Sequence, residues 1–299
     1  PIFAFFLRFV LPTYLPTLFF FGFTFTVLTL STLTLKIFSI ACLMSGFCFA
    51  QTAEEIITIF TDLDRVPDYN YSTILIDNIE ANGSVEHMLI KQYGGGDNGL
   101  KNTVFDFIQP ASAKGTRILQ AEKLGRADDR WVYLPELRTI RRIAAADRYK
   151  SFVGSELTYN DMTLRKIDED KNEIISPSEN IEVGGVLYNC WKIKSTPIKL
   201  NEVEYGYRIS WFDKKTYIPV RTEFYDKRNP DKMIKINEVE KLEMVKGVTG
   251  IEYPLRRSTL VTNLNTKRKS RVTVKDFKFD EKISDSYFNQ TWLASGKAK

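Results

Sequence analysis

The sequence has very few of the residues that carry most catalytic chemistry. It contains one histidine, His87, and three cysteines among 299 residues. Two of the cysteines lie within the first fifty residues, so the rest of the chain has only Cys190 and can form no internal disulfide. A zinc site built from histidine and cysteine is implausible with one of each. His87 lies in an alternating stretch, which is typical of an exposed strand residue rather than of a catalytic base.

Signals for phosphate and nucleic-acid binding are missing as well. Gly94-Gly95-Gly96 is not followed by the lysine and hydroxyl residue of a phosphate-binding loop. The formal charge of +5 falls to +3 without Arg8 and Lys36, which is too weak to indicate a nucleic-acid partner. Paired acids such as Asp128-Asp129 occur throughout and do not single out a hydrolase. The sequence therefore predicts no enzyme activity, no cofactor, no metal and no nucleic-acid partner.

Hydrophobic residues, by contrast, are concentrated at the N-terminus. Residues 1–50 contain 12 of the 21 phenylalanines and no acidic residue. Lys36 is followed by an apolar run that ends at Phe49. The small residue Ala50 comes next, and a polar segment begins at Gln51. This is the layout of a secretory signal peptide over 36–50, so we expect export to the periplasm with cleavage after Ala50.

Residues 1–35 do not belong to that signal. Thr17–Leu35 is uncharged and long enough to span a bilayer. Two interpretations stay open: an anchor that attaches the protein to the inner membrane, or an upstream extension that is not part of the working protein. Two hydrophobic runs separated by one lysine make a poor membrane topology, which favours the extension.

Residues 51–299 are predicted to form one domain that begins with a helix. Thr52 and Glu55 have the spacing of a capping box. Apolar residues then recur at helical spacing, which predicts an amphipathic helix over 53–65 that ends before Pro67. Its apolar stripe consists of Ile56, Ile57, Phe60 and Leu63.

The period of the hydrophobic pattern changes to two after this helix, which predicts antiparallel strands separated by turns. Residues 144–180 break the pattern, and there we predict a short helix at 159–167 and a solvated charge run at 168–173. The final strand segment is expected to be a hairpin that turns at 263–266. The eleven predicted segments are 72–81, 85–93, 100–109, 115–123, 130–134, 138–143, 181–197, 204–213, 217–226, 232–245 and 250–276.

A group of arginines accompanies the sixth predicted strand. Arg138, Arg141 and Arg142 carry forked guanidinium groups, which suit phosphate or carboxylate. They predict contact with an anionic lipid headgroup or an acidic partner. A solvated sheet face explains them equally well.

Several motifs in the middle of the chain resemble those of a bacterial family. They include Asp129-Arg130-Trp131-Val132-Tyr133-Leu134-Pro135 and Ser151-Phe152-Val153-Gly154-Ser155-Glu156-Leu157-Thr158-Tyr159-Asn160-Asp161, with Phe105–Pro110 before them and Trp211–Val220 after them. In order and spacing they resemble the outer-membrane lipoprotein-sorting proteins, the LolA-like group often found beside RND-type exporters. The resemblance extends over residues 70–290.

The resemblance implies a mainly β protein with few helices (α+β): an antiparallel, unclosed barrel of about eleven strands with a helical lid, in which carrier relatives hold lipoprotein acyl chains. It implies a periplasmic carrier that moves lipoproteins or lipids toward the outer membrane and has an RND-type inner-membrane transporter as a partner. We expect it to be a monomer. The alternatives are an accessory module of such an exporter with another hydrophobic cargo, and a hydrolase of envelope polymer.

Apolar residues of the lid and the sheet form the predicted ligand site. An acyl chain gains about 0.8 kcal/mol for each buried methylene, so a carrier needs a large apolar surface. The alternative is that these side chains simply fill a closed core. The candidate residues are Ile57, Phe60, Phe105, Phe107, Trp131, Tyr133, Tyr207, Ile209 and Trp211.

Overall fold

The computed structural model describes residues 51–297, apart from 66, 97–99, 127, 145–146 and 163–164. The predictions for the leader, residues 1–50, lie outside the described residues. Within that part of the chain, thirteen strands and two α-helices are formed, together with short 3₁₀ turns. The prediction of a mainly β fold with few helices is therefore confirmed.

Helix α1, Ala53–Arg65, has the bounds that the sequence predicts. The N–H of Glu55 donates to Thr52 Oγ1 at 3.1 Å, and the N–H of Thr52 donates to the Glu55 carboxylate at 2.9 Å. This capping box satisfies two N–H groups that would otherwise lack a partner at the start of the helix. Ile56 and Ile57 are buried. Local hydrogen bonds thus fix where α1 begins, and its aliphatic stripe holds it on the sheet.

The thirteen strands form one antiparallel sheet in the order β6-β5-β4-β3-β2-β1-β13-β12-β11-β10-β9-β8-β7. The edge strands β6 and β7 do not pair with each other, so the sheet is open, as predicted. The strands are β1 Asn70–Ile79, β2 Val85–Gly95, β3 Asn102–Gln109, β4 Arg117–Ala121, β5 Asp129–Leu134, β6 Thr139–Arg142, β7 Asp170–Val183, β8 Val186–Pro197, β9 Tyr207–Asp213, β10 Pro219–Tyr225, β11 Met233–Lys246, β12 Glu252–Asn263 and β13 Lys269–Phe279.

The number of strands exceeds the predicted eleven for two reasons. The last predicted segment is the expected hairpin, which supplies both β12 and β13. Strand β7 was not predicted, because it has few apolar residues and resembles a charge run in sequence. An edge strand with one solvated face needs only a few apolar positions, and in β7 these include Ile174 and Val183.

The chain builds this sheet as two halves that meet in the middle. Strands β1 to β6 extend in order toward one edge, and β7 to β13 return from the other edge until β13 pairs with β1. Residues 143–169, the crossing segment, connect β6 with β7. This segment must therefore pass from one edge of the sheet to the other.

Helix α1 and the crossing segment both lie on one face, which we call the covered face. The cross-strand register places one alternating set of residues on this face from β3 to β8. Phe152 of the crossing segment packs on Phe105 and Phe107, while α1 packs on Phe212. Other members of the set are Ile90, Ile74, Val272, Val261, Thr222, Ser210 and Ile193.

The prediction for residues 144–180 is wrong in two further respects. The described residues of 159–167 form turns that lead into a 3₁₀ turn at Ile167–Glu169, not a short helix. The predicted solvated charge run at 168–173 is only partly exposed, because Asp170 is buried at the start of β7 while Asp168 and Lys171 are exposed. The apolar residues of the crossing segment show no period because each reaches the sheet from an irregular turn.

A second helix, α2, Gln290–Ser295, lies on the opposite face of the sheet. Asn289 caps it by accepting a hydrogen bond from the N–H of Trp292 at 2.8 Å. Trp292 and Leu293 are buried in a cluster with Val104 of β3. The sequence analysis does not predict α2, because six residues are too few to display a helical period.

We expect the substitution Thr52→Ala to lower the free energy of unfolding by about 1 kcal/mol, because it removes the side-chain acceptor that caps α1. Chemical denaturation of the purified protein measures this loss. Thr52→Ser keeps the acceptor and should lose much less. An equal loss in the two variants would contradict the capping role.

Candidate functional site

The covered face is most apolar over strands β1 to β4. Phe152 is fully buried there, and its ring centroid lies 5.6 Å from that of Phe105 and 5.7 Å from that of Phe107. One aromatic side chain from an irregular segment thus fills part of the apolar surface. The buried cluster contains Ile74, Ile76, Met88, Ile90, Phe105, Phe107, Ile118, Phe152, Leu157 and Val261.

A tight turn, residues 151–158, presents Phe152 to the sheet, and we call it the knob. Its two ends join in an isolated β-bridge between Ser151 and Thr158. The N–H of Phe152 donates to the carbonyl of Leu157 at 2.7 Å. The knob is therefore a closed loop with its own hydrogen bonds, and its phenyl ring points into the apolar cluster.

Polar contacts hold the knob against the sheet. The N–H of Glu156 donates to Ser270 Oγ at 2.9 Å. The Glu156 carboxylate accepts a hydrogen bond from Asn263 Nδ2 at 2.7 Å and pairs with Arg268 at 3.1 Å. Ser270 is itself buried and donates to Asn78 Oδ1 at 2.7 Å. These contacts position the knob without any strand hydrogen bonding to the sheet.

A buried lysine fixes the crossing segment farther along its path. The Lys235 side chain, on β11, is 8% exposed, and its Nζ lies 3.0 Å from Asp161 and 2.7 Å from Glu204. Burial alone would lower the pKa of Lys235, but the two carboxylates outweigh burial and hold that pKa above its usual value. Lys235 is therefore charged, and it holds Asp161 of the crossing segment against the sheet.

A second ion cluster lies where the crossing segment enters β7. The Asp170 side chain is 2% exposed and pairs with Arg165 at 2.7 Å and with Arg208 at 2.8 Å. Arg208 also donates to the hydroxyl of Tyr205 at 2.8 Å. Burial would lower the pKa of Arg165, but the bond to Asp170 raises it above its usual value. The covered face thus divides into an apolar part and a part with paired charges.

Helix α1 covers apolar side chains of β8 and β9 on the same face. Ile56 and Ile57 form a buried cluster with Ile193 and Phe212. Phe60 is half-buried and meets the Phe212 ring edge-on, with 5.8 Å between centroids. The helix therefore has the position that a lid over this face would require.

The structure separates the nine predicted ligand residues into two faces. Those at the covered face are Ile57, Phe60, Phe105 and Phe107. Those on the opposite face beneath α2 are Trp131 and Tyr133. Those on the opposite face of β9 are Tyr207, Ile209 and Trp211.

Charged side chains cover the aromatic rings of β9. Lys192 Nζ lies 4.7 Å from the ring centroid of Trp211, and Lys194 Nζ lies 4.6 Å from that of Tyr207. Trp211 Nε1 also donates to Glu179 at 2.9 Å. This surface is suited to cation–π contacts rather than to an apolar chain. Because β9 has apolar residues on both faces, its alternation alone could not identify the covered one.

The predicted headgroup arginines also divide. Arg142 pairs with the carboxylate of Asp129, which accepts a second bond from Arg126 at 2.7 Å. These hydrogen bonds, that from Arg126 foremost, lower the pKa of Asp129 to about 2. Arg138 and Arg141 are exposed. Their contact with a headgroup or an acidic partner stays a prediction.

The sequence analysis did not identify Phe152, Lys235 or Asp170 as site residues. Phe152 lies inside a motif that carries the family resemblance, and that is the one signal that could have singled it out. Lys235 and its partner Asp161 are far apart in the chain, so no local pattern marks their ion pair.

Among the described residues, the one histidine and the one cysteine lie on different strands, His87 on β2 and Cys190 on β8. His87 is exposed on β2, with its Nδ1 2.7 Å from Asp77. Burial raises the pKa of the Cys190 thiol to about 12. Within the described ranges, no group of three or more His, Cys, Asp or Glu side chains is placed to hold a metal ion. None of the helices described there is long and apolar enough to cross a membrane.

A known family shares the sequence pattern of this chain. A family model with the description "Uncharacterized protein" matches residues 99–295, well over half of the chain. The chain belongs to that family. A search of curated proteins gives no match.

Three solved structures have a fold similar to that of this chain. A domain from Vibrio parahaemolyticus named for outer-membrane lipoprotein sorting is 22% identical, with a TM-score of 0.69 over 81% of this chain and 99% of that one. A DUF1329 family protein from Desulfovibrio piger is 26% identical, with a TM-score of 0.69 over 81% and 98%. A LolA superfamily protein from Nitrosomonas europaea is 18% identical, with a TM-score of 0.58 over 81% and 100%. The LolA-like fold that the motifs predicted is thus confirmed.

The depressed pKa of Asp129 predicts a defined dependence of stability on pH. The folded value of about 2 lies below the unfolded value of about 3.9, so the carboxylate stabilises the fold above pH 4. That contribution is lost as the pH falls from about 4 to about 2. Asp129→Asn should therefore destabilise the protein at neutral pH and progressively less across that interval.

Denaturation curves of the wild-type protein and the Asp129→Asn variant at several pH values measure this difference. Arg126→Ala should remove part of the pH-dependent difference in stability, because Arg126 is one of the two arginines that bond to Asp129. Arg138→Ala, which deletes an exposed arginine, should leave it unchanged. A difference that stays constant from pH 7 to pH 2 would refute the assignment.

Proposed function

We propose that this protein is an exported carrier that binds the acyl chains of lipoproteins or lipids and moves them toward the outer membrane. The observation that carries the proposal is the covered face. Its apolar cluster lies under the crossing segment, and α1 covers aliphatic residues farther along the same face. The Vibrio domain of the same fold is named for lipoprotein sorting, which supports this assignment.

The two covers are attached in a way that permits them to move. Neither α1 nor the knob adds a strand to the sheet, so lifting either one breaks side-chain contacts and leaves the strand pairing intact. An acyl chain that buries about ten methylenes gains roughly 8 kcal/mol, which is enough to replace several such contacts. A chain can therefore enter beneath a cover while the sheet stays folded.

The charges on the covered face favour a carrier over a hydrolase of envelope polymer. Asp161 and Glu204 both bind Lys235, and Asp170 lies between Arg165 and Arg208. A hydrolase would need two carboxyl groups that are free to act on a substrate. These carboxylates are instead committed to holding the crossing segment.

The proposal also includes export of the protein and a transporter as its partner. Cleavage after Ala50 would leave Gln51 as the first residue, directly before the Thr52 cap of α1. We propose that residues 51–299 are the working domain, that it is a monomer, and that it receives cargo from an RND-type transporter of the inner membrane.

Lipid extraction and mass spectrometry of protein purified from the periplasm test the carrier role. Acylated peptides should be recovered in the extract. Free lipid alone would favour the accessory module of an exporter instead. The same spectra give the mass of the mature chain, which should begin at Gln51. An extract without lipid or acylated peptide, together with no binding of a fatty acid by the purified protein, would overturn the carrier role.

Phe60 provides a test of the lid, because its side chain on α1 is half-buried and meets the Phe212 ring edge-on. Phe60→Ala should weaken the binding of a dansyl-labelled fatty acid several-fold, since it removes apolar contact area beside the ligand. Leu187→Ala is the matched control, because Leu187 is 69% exposed. Fluorescence titration measures both affinities. Equal affinities would exclude α1 from the binding site.

A further inference from the structure

The buried apolar cluster contains three phenylalanines. Phe105 and Phe107 lie on β3, whereas Phe152 comes from the knob. Its ring is fully buried among side chains of the sheet and contacts Tyr159 of its own segment at 5.6 Å. Leu157, the other buried apolar side chain of the knob, belongs to the same cluster. The knob therefore places an aromatic ring on the apolar surface that a hydrophobic cargo would use.

The backbone beside this ring is strained. Val153 has φ 48° and Gly154 has φ 82°, so two successive residues adopt the left-handed region. Glycine tolerates this conformation, but a β-branched residue such as valine is a genuine outlier there. The strain is released if the knob leaves the sheet and Val153 returns to an ordinary conformation.

The polar anchors of the knob can be exchanged for water once the knob has left the sheet. Arg268, which pairs with Glu156, has a side chain that is 34% exposed. Asn263 and Ser270 each make one hydrogen bond to the knob. Such bonds are worth little net when water can replace them. The apolar contacts of Phe152 and Leu157 are therefore what mainly keep the knob in place, and another apolar group can substitute for them.

We propose that Phe152 occupies the seat of a single acyl chain, and that a bound chain takes the place of the ring against Phe105 and Phe107 while the knob moves off the sheet. This inference rests on the proposed function and specifies where one chain binds. The empty protein then keeps its apolar surface covered by its own side chain. Ligand and knob compete for one place.

The substitution Phe152→Ala tests this competition directly. The acyl chain no longer has to displace the ring, so the affinity for a dansyl-labelled fatty acid should rise about tenfold, although thermal stability falls. If the ring were part of the lining, the affinity would fall instead. If it belonged only to a closed core, stability alone would change. Either result would overturn the proposal.

Val153 offers a second test that leaves the ring in place. Asparagine tolerates the left-handed conformation and should stabilise the closed knob, so Val153→Asn should weaken binding relative to Val153→Thr. Threonine is the matched control. Like asparagine it introduces a polar group, but it keeps the β-branch and hence the strain. We expect about a tenfold difference in affinity between the two variants. Equal affinities would contradict a displaceable knob.

The outcomes separate this inference from the carrier role. If the wild-type protein binds no fatty acid, the proposed function fails. If it binds and neither the Phe152 nor the Val153 variants change the affinity as stated, only the seat is refuted. If Phe152→Ala does not fold, Phe152→Leu and the Val153 pair give the same decision.

Discussion

The open sheet imposes one constraint on the rest of the molecule. Its two edges, β6 and β7, are joined by a single stretch of chain, so residues 143–169 have to cross the covered face. A backbone that passes over apolar strands cannot leave its N–H and C=O groups without partners. The crossing segment meets this requirement with turns that bond to themselves, as in the knob, and with side chains of the sheet such as Ser270, which accepts a hydrogen bond from the backbone N–H of Glu156.

The same constraint explains why charges lie inside this face. Lys235 and Asp170 are buried, and each is paired with two groups of opposite charge. Breaking one partner of such a cluster is costly even though the intact cluster adds little stability. The ion clusters therefore determine the path of the crossing segment more than they stabilise the fold.

Local signals in the sequence were sufficient for part of this structure. The capping box and apolar stripe predicted α1 with its bounds, because a helix is determined by contacts within a few residues. Alternation predicted most strands but not the covered face of β9, where Ile209 and Phe212 lie on opposite sides. Strand β7 and the burial of Phe152 depend on contacts between distant residues, which no short pattern records. The family motifs predicted the fold. The candidate site could be recognised only in the structure, because it depends on the path of the crossing segment over the sheet.

The pairing of β1 with β13 has a consequence for how the molecule is made. The first strand after α1 cannot complete its hydrogen bonding until the last strand has left the ribosome, because β13 is its neighbour in the sheet. Contacts between such distant parts of a chain form slowly. During synthesis the two halves of the sheet therefore stay unjoined, and the chain remains open for longer than a protein of local contacts would. The proposed export would gain time from that delay, because a polypeptide passes through a secretion channel before it folds.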